Sequence, residues 1–197
     1  MPDDHARPGI SLWKVLLPIA LVTAGAAAAA YWMLHLPRYG PGGSPGKKGS
    51  HRSVGEQVPD FVLERFGDSA KVKSSELGAS IVLVNFWASW CEACVVEMPS
   101  MVRLREKFHP RGLEIAFIDV DENPEEVVPK VLEMLEIGFP VFVDRNAALS
   151  ELFDVYGIPK TVILDRNRKI LFIHDGDKDW DAPDLHSRID QWLSPSS

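Results

Sequence analysis

The chain has 197 residues, of which 46% are hydrophobic and 25% are charged, so it is bounded at one or two domains and is not a wholly disordered protein. Residues 1–53 carry six basic and two acidic side chains, whereas residues 54–197 carry 15 basic and 26 acidic ones. Such an acidic body disfavours nucleic acid as a partner, and two cysteines exclude a scaffold of several disulfides.

A run of 20 uncharged residues, 15–34, follows a short flank at residues 1–14. About 20 apolar residues suffice to cross roughly 30 Å of hydrocarbon as a helix, so residues 15–36 are predicted to be a transmembrane anchor in the lipid bilayer. The alternative is a signal peptide, either cleaved at its alanine run or left uncleaved. The anchor is preferred because the apolar run continues past the alanines to Leu34.

The orientation of this anchor is in conflict with the function inferred below. Two basic residues precede the apolar run and four follow it, which taken alone places the C-terminal side in the cytoplasm. All four of the later charges lie in residues 37–53, which contain three prolines, five glycines and three serines. This composition predicts a flexible linker with a reach of roughly 20–25 Å, which weakens the charge count. Residues 54–197 are predicted to form one globular domain.

Hydrophobic patterning predicts the order βαβαβαββα for this domain, an α/β fold with helices packed against a mixed sheet. The predicted strands are 81–86, 113–120, 140–143, 161–165 and 170–174, and the predicted helices are 95–108, one that begins at Asn123-Pro124, 147–153 and 183–193. Pro129 is expected to kink or split the helix that begins at Pro124. Residues 165–168 are expected to turn a hairpin, and the acidic stretch 175–181 is expected to be a loop.

Two cysteines separated by two residues, Cys91 and Cys94, lie where a buried strand gives way to a helix. The N-terminus of a helix presents unpaired N–H groups and about half a positive charge, both of which stabilise a thiolate. The i, i+3 spacing brings the second sulfur within bonding range of the first. We therefore expect Cys91 to attack a partner disulfide and Cys94 to resolve the mixed disulfide.

Other interpretations of this pair are weaker. A structural zinc site needs about four ligands, and the chain has one cysteine pair and no two histidines at zinc-finger spacing, so no metal site is predicted. A purely structural disulfide across four residues would constrain few unfolded conformations. Two buried free thiols remain possible, but Cys91 lies at a loop–helix junction rather than within an apolar face.

Six motifs along the domain match those of one family. They are VPDF at 58–61, NFWASWCEAC at 85–94, EMP at 97–99, IDVDE at 118–122, FPV at 139–141 and YGIPKTVILD at 156–165. Over residues 54–193 the chain resembles the bacterial membrane-anchored, thioredoxin-like proteins of the TlpA/ResA/CcmG group. The resemblance implies a thioredoxin-like fold, with a mixed central sheet flanked by helices, and thiol–disulfide exchange without a cofactor.

The resemblance also implies roles for particular residues. Cys91 would be the exposed nucleophile and Cys94 the shielded resolving thiol. Ile158 and Pro159 resemble the family's cis-proline loop, which lies beside the disulfide and pairs with the substrate backbone; without the family, an ordinary turn is the default role for this proline. Pro99 falls five residues after Cys94, where the family kinks its active-site helix.

Two polar residues near the cysteine pair receive expectations of their own. Glu97 occupies a position where the group often carries an acid, and its i+3 spacing from Cys94 lets it reach that side of a helix. It is either a proton acceptor for Cys94 or a solvated surface glutamate. Asn85 stands where cytosolic thioredoxins carry a buried aspartate, so the thioredoxin proton relay is not assumed here.

The residues around Cys91 depart in part from the family pattern. The dipeptide between the cysteines lacks the common proline, and its Glu92 places a negative charge beside Cys91 that opposes the thiolate. A less stabilised thiolate makes the disulfide more stable and the dithiol a stronger reductant. Trp87 and Trp90 are expected to pack, with Trp90 shielding the sulfurs at the substrate-binding surface.

Together these expectations predict that the protein is a thiol–disulfide oxidoreductase on the outer face of a bacterial inner membrane. It would take electrons from a membrane thiol donor and reduce a disulfide-bearing client, which the resemblance suggests is apocytochrome c, a copper-site protein or another exported thiol protein. The alternative is a metallochaperone that holds Cu(I) on the two cysteines, because soft thiolates suit Cu(I). Such a site usually adds a histidine, for which His174 is the candidate.

Overall fold

A seven-stranded mixed sheet organises residues 51–194, the part of the chain that the computed structural model describes. Its strands are β1 (Val62–Arg65), β2 (Lys71–Lys73), β3 (Ile81–Trp87), β4 (Leu113–Asp119), β5 (Phe142–Val143), β6 (Lys160–Asp165) and β7 (Ile170–Asp175). The helices are α1 (Glu92–Phe108), α2 (Pro124–Met134), α3 (Ala148–Leu152) and α4 (Pro183–Leu193), with 3₁₀ turns at Ser74–Glu76 and His109–Arg111.

The strand order is β2-β1-β5-β4-β3-β6-β7, and the central strand β3 is parallel to β4 and antiparallel to β6. All seven residues of β3 are buried, as expected for a strand covered on both faces. Successive side chains of a strand point to opposite faces. One face of β3 therefore packs in the same apolar cluster as α1, and the other face packs in a second cluster that includes Phe61 and Phe153.

The predicted mixed α/β fold is confirmed, with two corrections. The prediction missed the hairpin of β1 and β2 because these strands have only four and three residues and carry charged side chains where an apolar alternation was sought. The expected split at Pro129 was also wrong, since α2 runs through it. Pro129 removes one hydrogen bond from the helix and crowds the carbonyl of the preceding turn. The helix nevertheless continues, because the buried side chains of Val128 and Val131 hold it against the core.

The predicted anchor at residues 15–36 and nearly all of the predicted linker lie outside the described residues. Within residues 51–194, no helix is both long enough and apolar enough to cross a bilayer. The last linker residues contact the domain: the backbone N–H of Arg52 donates to Asp154 Oδ2 at 2.8 Å, and its Nε donates to the Leu152 carbonyl at 2.8 Å. Arg52 thereby joins the start of the domain to the segment that precedes the Ile158–Pro159 loop.

Candidate active site

The cysteine pair lies at the junction of β3 and α1. Trp87 ends the strand, residues 88–90 form a turn, and Cys91 occupies the N-cap position of α1. The backbone N–H of Cys91 donates to the Ala88 carbonyl at 3.1 Å, which closes the turn. The Cys91 sulfur accepts a hydrogen bond from the backbone N–H of Cys94 at 3.2 Å. The first turn of the helix thus points a backbone donor at the sulfur that is expected to become a thiolate.

The two sulfurs are joined in a disulfide, and their Cα atoms lie 5.2 Å apart. Cys94 is fully buried, and Cys91 is 8% exposed. The predicted assignment of nucleophile and resolving thiol fits this order of access, because an incoming reagent meets Cys91 first. The exposure is small, however, so only a small area of Cys91 is accessible to a partner disulfide.

Trp90, next to Cys91, is 71% exposed. The expectation that Trp90 packs in the core is therefore wrong, whereas the fully buried Trp87 packs in the core as predicted. The alternation of β3 explains the difference, since Trp87 is the last strand residue on the face toward α1, whereas Trp90 lies in the turn beyond the sheet. An exposed indole beside the nucleophile is suited to contact another protein.

The Ile158–Pro159 peptide bond is cis, as the resemblance implied. Pro159 immediately precedes β6, whose first residue, Lys160, pairs with Phe86 near the end of β3. The antiparallel pairing brings the start of β6 to the same edge of the sheet as the turn that carries Cys91. A groove of about 440 Å³ adjoins Pro159, and the exposed Tyr156 forms part of its lining.

Glu97 is buried, with only 3% of its surface exposed, so the alternative of a solvated surface glutamate is wrong. Its Oε1 accepts from Asn85 Nδ2 at 2.9 Å. Its Oε2 accepts from the Lys178 backbone N–H at 3.1 Å and from the indole N–H of Trp180 at 2.8 Å. Burial raises the pKa of this carboxyl above its ordinary value, while the hydrogen bonds from Trp180, Asn85 and Lys178 oppose that rise.

Asn85 links this carboxylate to the sheet. It is fully buried on β3, and its amide nitrogen also donates to Thr161 Oγ1 at 3.0 Å. Alternation along β3 turns this side chain toward α1, in the row of Leu83 and Trp87. The polar chain from Thr161 through Asn85 to Glu97 therefore runs between the sheet and α1, one helical turn beyond Cys94.

Sequence analysis missed Trp180, which belongs to the loop expected at residues 175–181. The loop was confirmed, but Trp180 is fully buried, and its backbone N–H donates to Ser100 Oγ at 3.0 Å. Together with the bonds to Glu97, this contact fastens the β7–α4 loop along α1. A single tryptophan among alternating aspartates was the available signal, because it is the one residue of this acidic loop whose burial gains substantial hydrophobic free energy.

Sequence analysis also missed a buried acid, Asp119, at the end of β4. It is 1% exposed, and burial together with the neighbouring Asp121 raises its pKa to about 8. Asp121, two residues further along the chain, accepts from the backbone N–H of Ser89 at 2.7 Å and from its hydroxyl at 3.0 Å. The alternation of β4 places Asp119 in the row of Leu113, Ile115 and Phe117, which packs in the cluster that contains α1.

We expect Asp119→Asn to stabilise the protein more at pH 7 than at pH 4, by an amount on the order of a few kcal/mol. The folded pKa of about 8 lies above the unfolded value of 3.8, so the folded chain keeps a proton that the unfolded chain releases. The wild type accordingly loses stability as the pH rises from about 4 to about 8, and the amide removes this loss. Urea unfolding at both pH values measures it, with the exposed neighbour Glu122→Gln as control. Equal gains at the two pH values would contradict the buried acid.

A C-x-x-C disulfide at the first turn of a helix, with a cis-proline at the same end of a mixed sheet, defines a thioredoxin-like redox protein. Comparison with known families agrees, since residues 54–173 match the AhpC/TSA family, and the chain belongs to it. The thiol-disulfide oxidoreductase ResA of Oceanobacillus iheyensis is 33% identical over 126 residues, which cover 62% of this chain and 65% of that protein. ResA of Geobacillus thermodenitrificans is 32% identical over 124 residues, which cover 63% and 70%.

Solved structures show the same fold. A Chlorobium tepidum structure, described as a thiol:disulfide interchange protein DsbE, has a TM-score of 0.64 at 30% identity and covers 72% of this chain and 99% of its own. A thiol:disulfide interchange protein from a Bacteroides species has a TM-score of 0.60 at 20% identity over 72% and 90% of the two chains, a likeness of fold. The oxidoreductase relatives support an oxidoreductase of the ResA and DsbE type.

Proposed function

We propose that this chain is a thiol–disulfide oxidoreductase that reduces disulfides of client proteins outside the bacterial inner membrane, where residues 15–36 anchor it. The observation that carries the proposal is the Cys91–Cys94 disulfide at the start of α1, with its more accessible sulfur next to an exposed tryptophan. The acidic Glu92 beside the nucleophile supports the reducing direction, because it opposes the thiolate and so favours the oxidised pair.

The exchange takes two steps. In the reduced protein the Cys91 thiolate attacks one sulfur of the client disulfide; that S–S bond breaks, and the other client sulfur leaves as a thiolate that takes up a proton. The Cys94 thiolate then attacks Cys91 in the mixed disulfide, which closes the Cys91–Cys94 bond and releases the second client thiol. The client gains two electrons and two protons, and a membrane dithiol donor restores the reduced pair.

Glu97 is the group we assign to accept the proton of Cys94 before the second attack. It lies three residues from Cys94 on α1, and its carboxyl is buried with a raised pKa. A carboxyl whose proton affinity is raised by burial is better matched to a thiol than a solvated carboxylate is. The three N–H donors that surround the carboxylate fix its position between the sheet, α1 and the β7–α4 loop.

Trapping the client in cells tests the exported-reductase proposal. Cys94→Ser leaves Cys91 able to attack but prevents resolution, so a mixed disulfide accumulates and its partner can be identified by mass spectrometry. We expect an exported thiol protein, such as apocytochrome c or a copper-site protein. A topology reporter fused after Ser197 measures the location of the domain. A cytoplasmic reporter signal, or only cytoplasmic trapped proteins, would contradict the proposal.

The structure gives the Cu(I) alternative no further support at His174. This side chain stacks with Phe172 and makes an edge contact with Trp180, and its Nε2 lies 3.4 Å from the carbonyl oxygen of Asp177. The candidate third ligand is thus engaged in packing against Trp180, in the β7–α4 loop that binds Glu97.

Trp90→Ala should lower kcat/KM for a protein disulfide by about tenfold while leaving reduction of a small aromatic disulfide nearly unchanged. The exposed indole next to Cys91 offers apolar surface to a protein substrate, whereas a small disulfide needs only the sulfur. Steady-state assays with insulin and with a small disulfide measure both rates. Met134→Ala, an equally exposed apolar side chain on α2, serves as control. Equal losses on the two substrates would contradict a docking role for Trp90.

A further inference from the structure

The turn that carries the nucleophile is held by a carboxylate from the segment that follows the neighbouring strand β4. Asp121 binds Ser89 through both oxygens, Oδ2 to the backbone N–H and Oδ1 to the hydroxyl. Ser89 precedes Trp90 and Cys91, so this contact fixes the path of the chain into α1. The other hydrogen bond within the turn runs from Cys91 to Ala88, at its two ends. Asp121 therefore supplies the lateral support of the turn.

A second carboxyl, that of the buried Asp119, lies next to Asp121. Among residues 51–194, neither oxygen of the buried Asp119 forms a hydrogen bond of normal geometry. Even Trp87, which pairs with Asp119 in the register of β3 and β4, keeps its indole N–H without an acceptor. Asp121 approaches the Asp119 carboxyl with both its backbone N–H, which lowers the pKa of Asp119, and its own carboxyl, which raises that pKa and outweighs the N–H. Two adjacent acceptors can form a hydrogen bond only if one of them holds a proton.

The charged groups that face Asp119 do not supply a cation to pair with it directly. Asp121 lies on the same strand extension, and Arg145 approaches from the loop after β5. The guanidinium of Arg145 is already bonded to Glu64 and Glu125. Asp144, whose backbone N–H donates to the Asp119 carbonyl, directs its own carboxylate at the N–H groups of Leu149 and Ser150 in α3.

We propose that Asp119 and Asp121 act together as positioning residues for the redox turn: a protonated Asp119 donates a hydrogen bond to Asp121, and the ionised Asp121 holds Ser89, and with it Trp90 and Cys91. The two carboxyls thus share one proton and one negative charge. Removal of the proton would leave two negative carboxylates side by side in a buried site. Asp121 would then be driven away from Asp119. The two hydrogen bonds that Asp121 accepts from Ser89, called the clamp below, would weaken.

This arrangement makes the order of the turn depend on pH. The pKa of Asp119 is raised to about 8 by burial and by Asp121, so the clamp is complete at neutral pH and is lost as the pH rises through that value. Because the effect concerns the turn itself, it should be present in the oxidised protein, where no thiol titrates. If this proposal about the turn is wrong, the proposed reductase activity is unaffected. If the proposed reductase activity is wrong, the hydrogen bonds between Asp121 and Ser89 can still be measured.

Amide hydrogen exchange of Ser89, Trp90 and Cys91 in the oxidised full chain tests the proposal. In the wild type we expect the protection factors of these amides to fall about tenfold or more between about pH 6.5 and about pH 9, while amides of central β3 keep theirs. Asp119→Asn keeps a hydrogen-bond donor toward Asp121 but cannot ionise, so its protection should stay constant over this range. Asp121→Ala removes the clamp and should show low protection at both pH values.

The catalytic readout should follow the same pattern. The ratio of kcat/KM for insulin between Asp119→Asn and the wild type should be close to one at about pH 6.5 and rise severalfold at about pH 9. A merely structural role for Asp119 would change this ratio equally at all pH values. Wild-type protection that does not change up to about pH 9, or an Asp121→Ala turn as protected as that of the wild type, would overturn the proposal. Urea unfolding of each variant shows whether it is folded, and Ser89→Ala, which keeps the backbone contact, should lose less protection than Asp121→Ala.

Discussion

Cys91→Ser is expected to lower the rate of protein-disulfide reduction by about a thousandfold or more, to the uncatalysed background, because a serine hydroxyl does not form the nucleophile at neutral pH. Cys91 is the more accessible sulfur, and its position at the N-cap of α1 aims the Cys94 backbone N–H at the developing thiolate. The other cysteine of the sequence, Cys94, is fully buried and cannot replace it. Insulin reduction with dithiothreitol as donor, after subtraction of the donor's own rate, measures the loss.

Cys94→Ser is the matched control, because it also removes the disulfide but keeps the nucleophile. It should lose turnover but still form a mixed disulfide in a single turnover, seen by mass spectrometry as one client chain bound at Cys91. Cys91→Ser should form none. Substantial turnover by Cys91→Ser, or equal trapping by the two variants, would contradict the assignment. A Cu(I) titration of the reduced wild type in parallel distinguishes the metallochaperone, which would bind the metal tightly but fail to reduce insulin.

Glu97→Ala is expected to lower the free energy of unfolding by about 3 kcal/mol or more, because it strands buried donors at roughly 1–3 kcal/mol each. The stranded groups are the amide of Asn85, the indole N–H of Trp180 and the backbone N–H of Lys178, which come from three different elements. Glu97→Gln keeps a carbonyl acceptor of the same shape and should lose less. Urea unfolding at neutral pH measures both changes, and Glu133→Ala, exposed on α2, is the control for truncation of a glutamate.

The charge of Glu97 also makes the free energy of unfolding depend on pH. Its folded pKa is raised, so the folded chain binds the proton more tightly than the unfolded chain, and this group's contribution to stability falls as the pH rises through the interval between the unfolded and folded values. Glu97→Gln should remove this contribution to the change of the unfolding free energy with pH. If Glu97→Ala were as stable as Glu97→Gln, the carboxylate would not be the anchor of the β7–α4 loop.

The elements that carry the cysteines could be predicted because their signals are local. A continuous apolar run marked β3, and helical spacing marked α1, so the position of Cys91 at their junction followed before any contact was known. The start of α1 was placed three residues late, at residue 95, since the first turn, from Glu92, lacks the apolar spacing that marks the rest of the helix. The cis bond before Pro159 came from the family resemblance, and local sequence alone favoured an ordinary turn.

The polar network behind the cysteines depends on contacts that no local pattern contains. Glu97 is bonded to Lys178 and Trp180, which lie 81 and 83 positions further along the chain. Helical spacing gave the side of α1 on which Glu97 lies but could not say that a distant loop covers that side. Asp119 offered a local signal that the prediction from sequence did not use, because alternation with Leu113, Ile115 and Phe117 puts its carboxyl in an apolar row of β4, where burial raises the proton affinity.

The reduction potential of the Cys91–Cys94 pair, equilibrated with glutathione or dithiothreitol buffers and read by alkylation of the free thiols, decides whether this protein reduces disulfides. We expect a reducing couple, nearer to the thioredoxin value of about −270 mV than to that of DsbA, and a less negative value when Glu92 is replaced by Gln. A potential as oxidising as about −120 mV would mean that the pair donates disulfides instead of removing them, and the proposed direction of electron flow would be wrong.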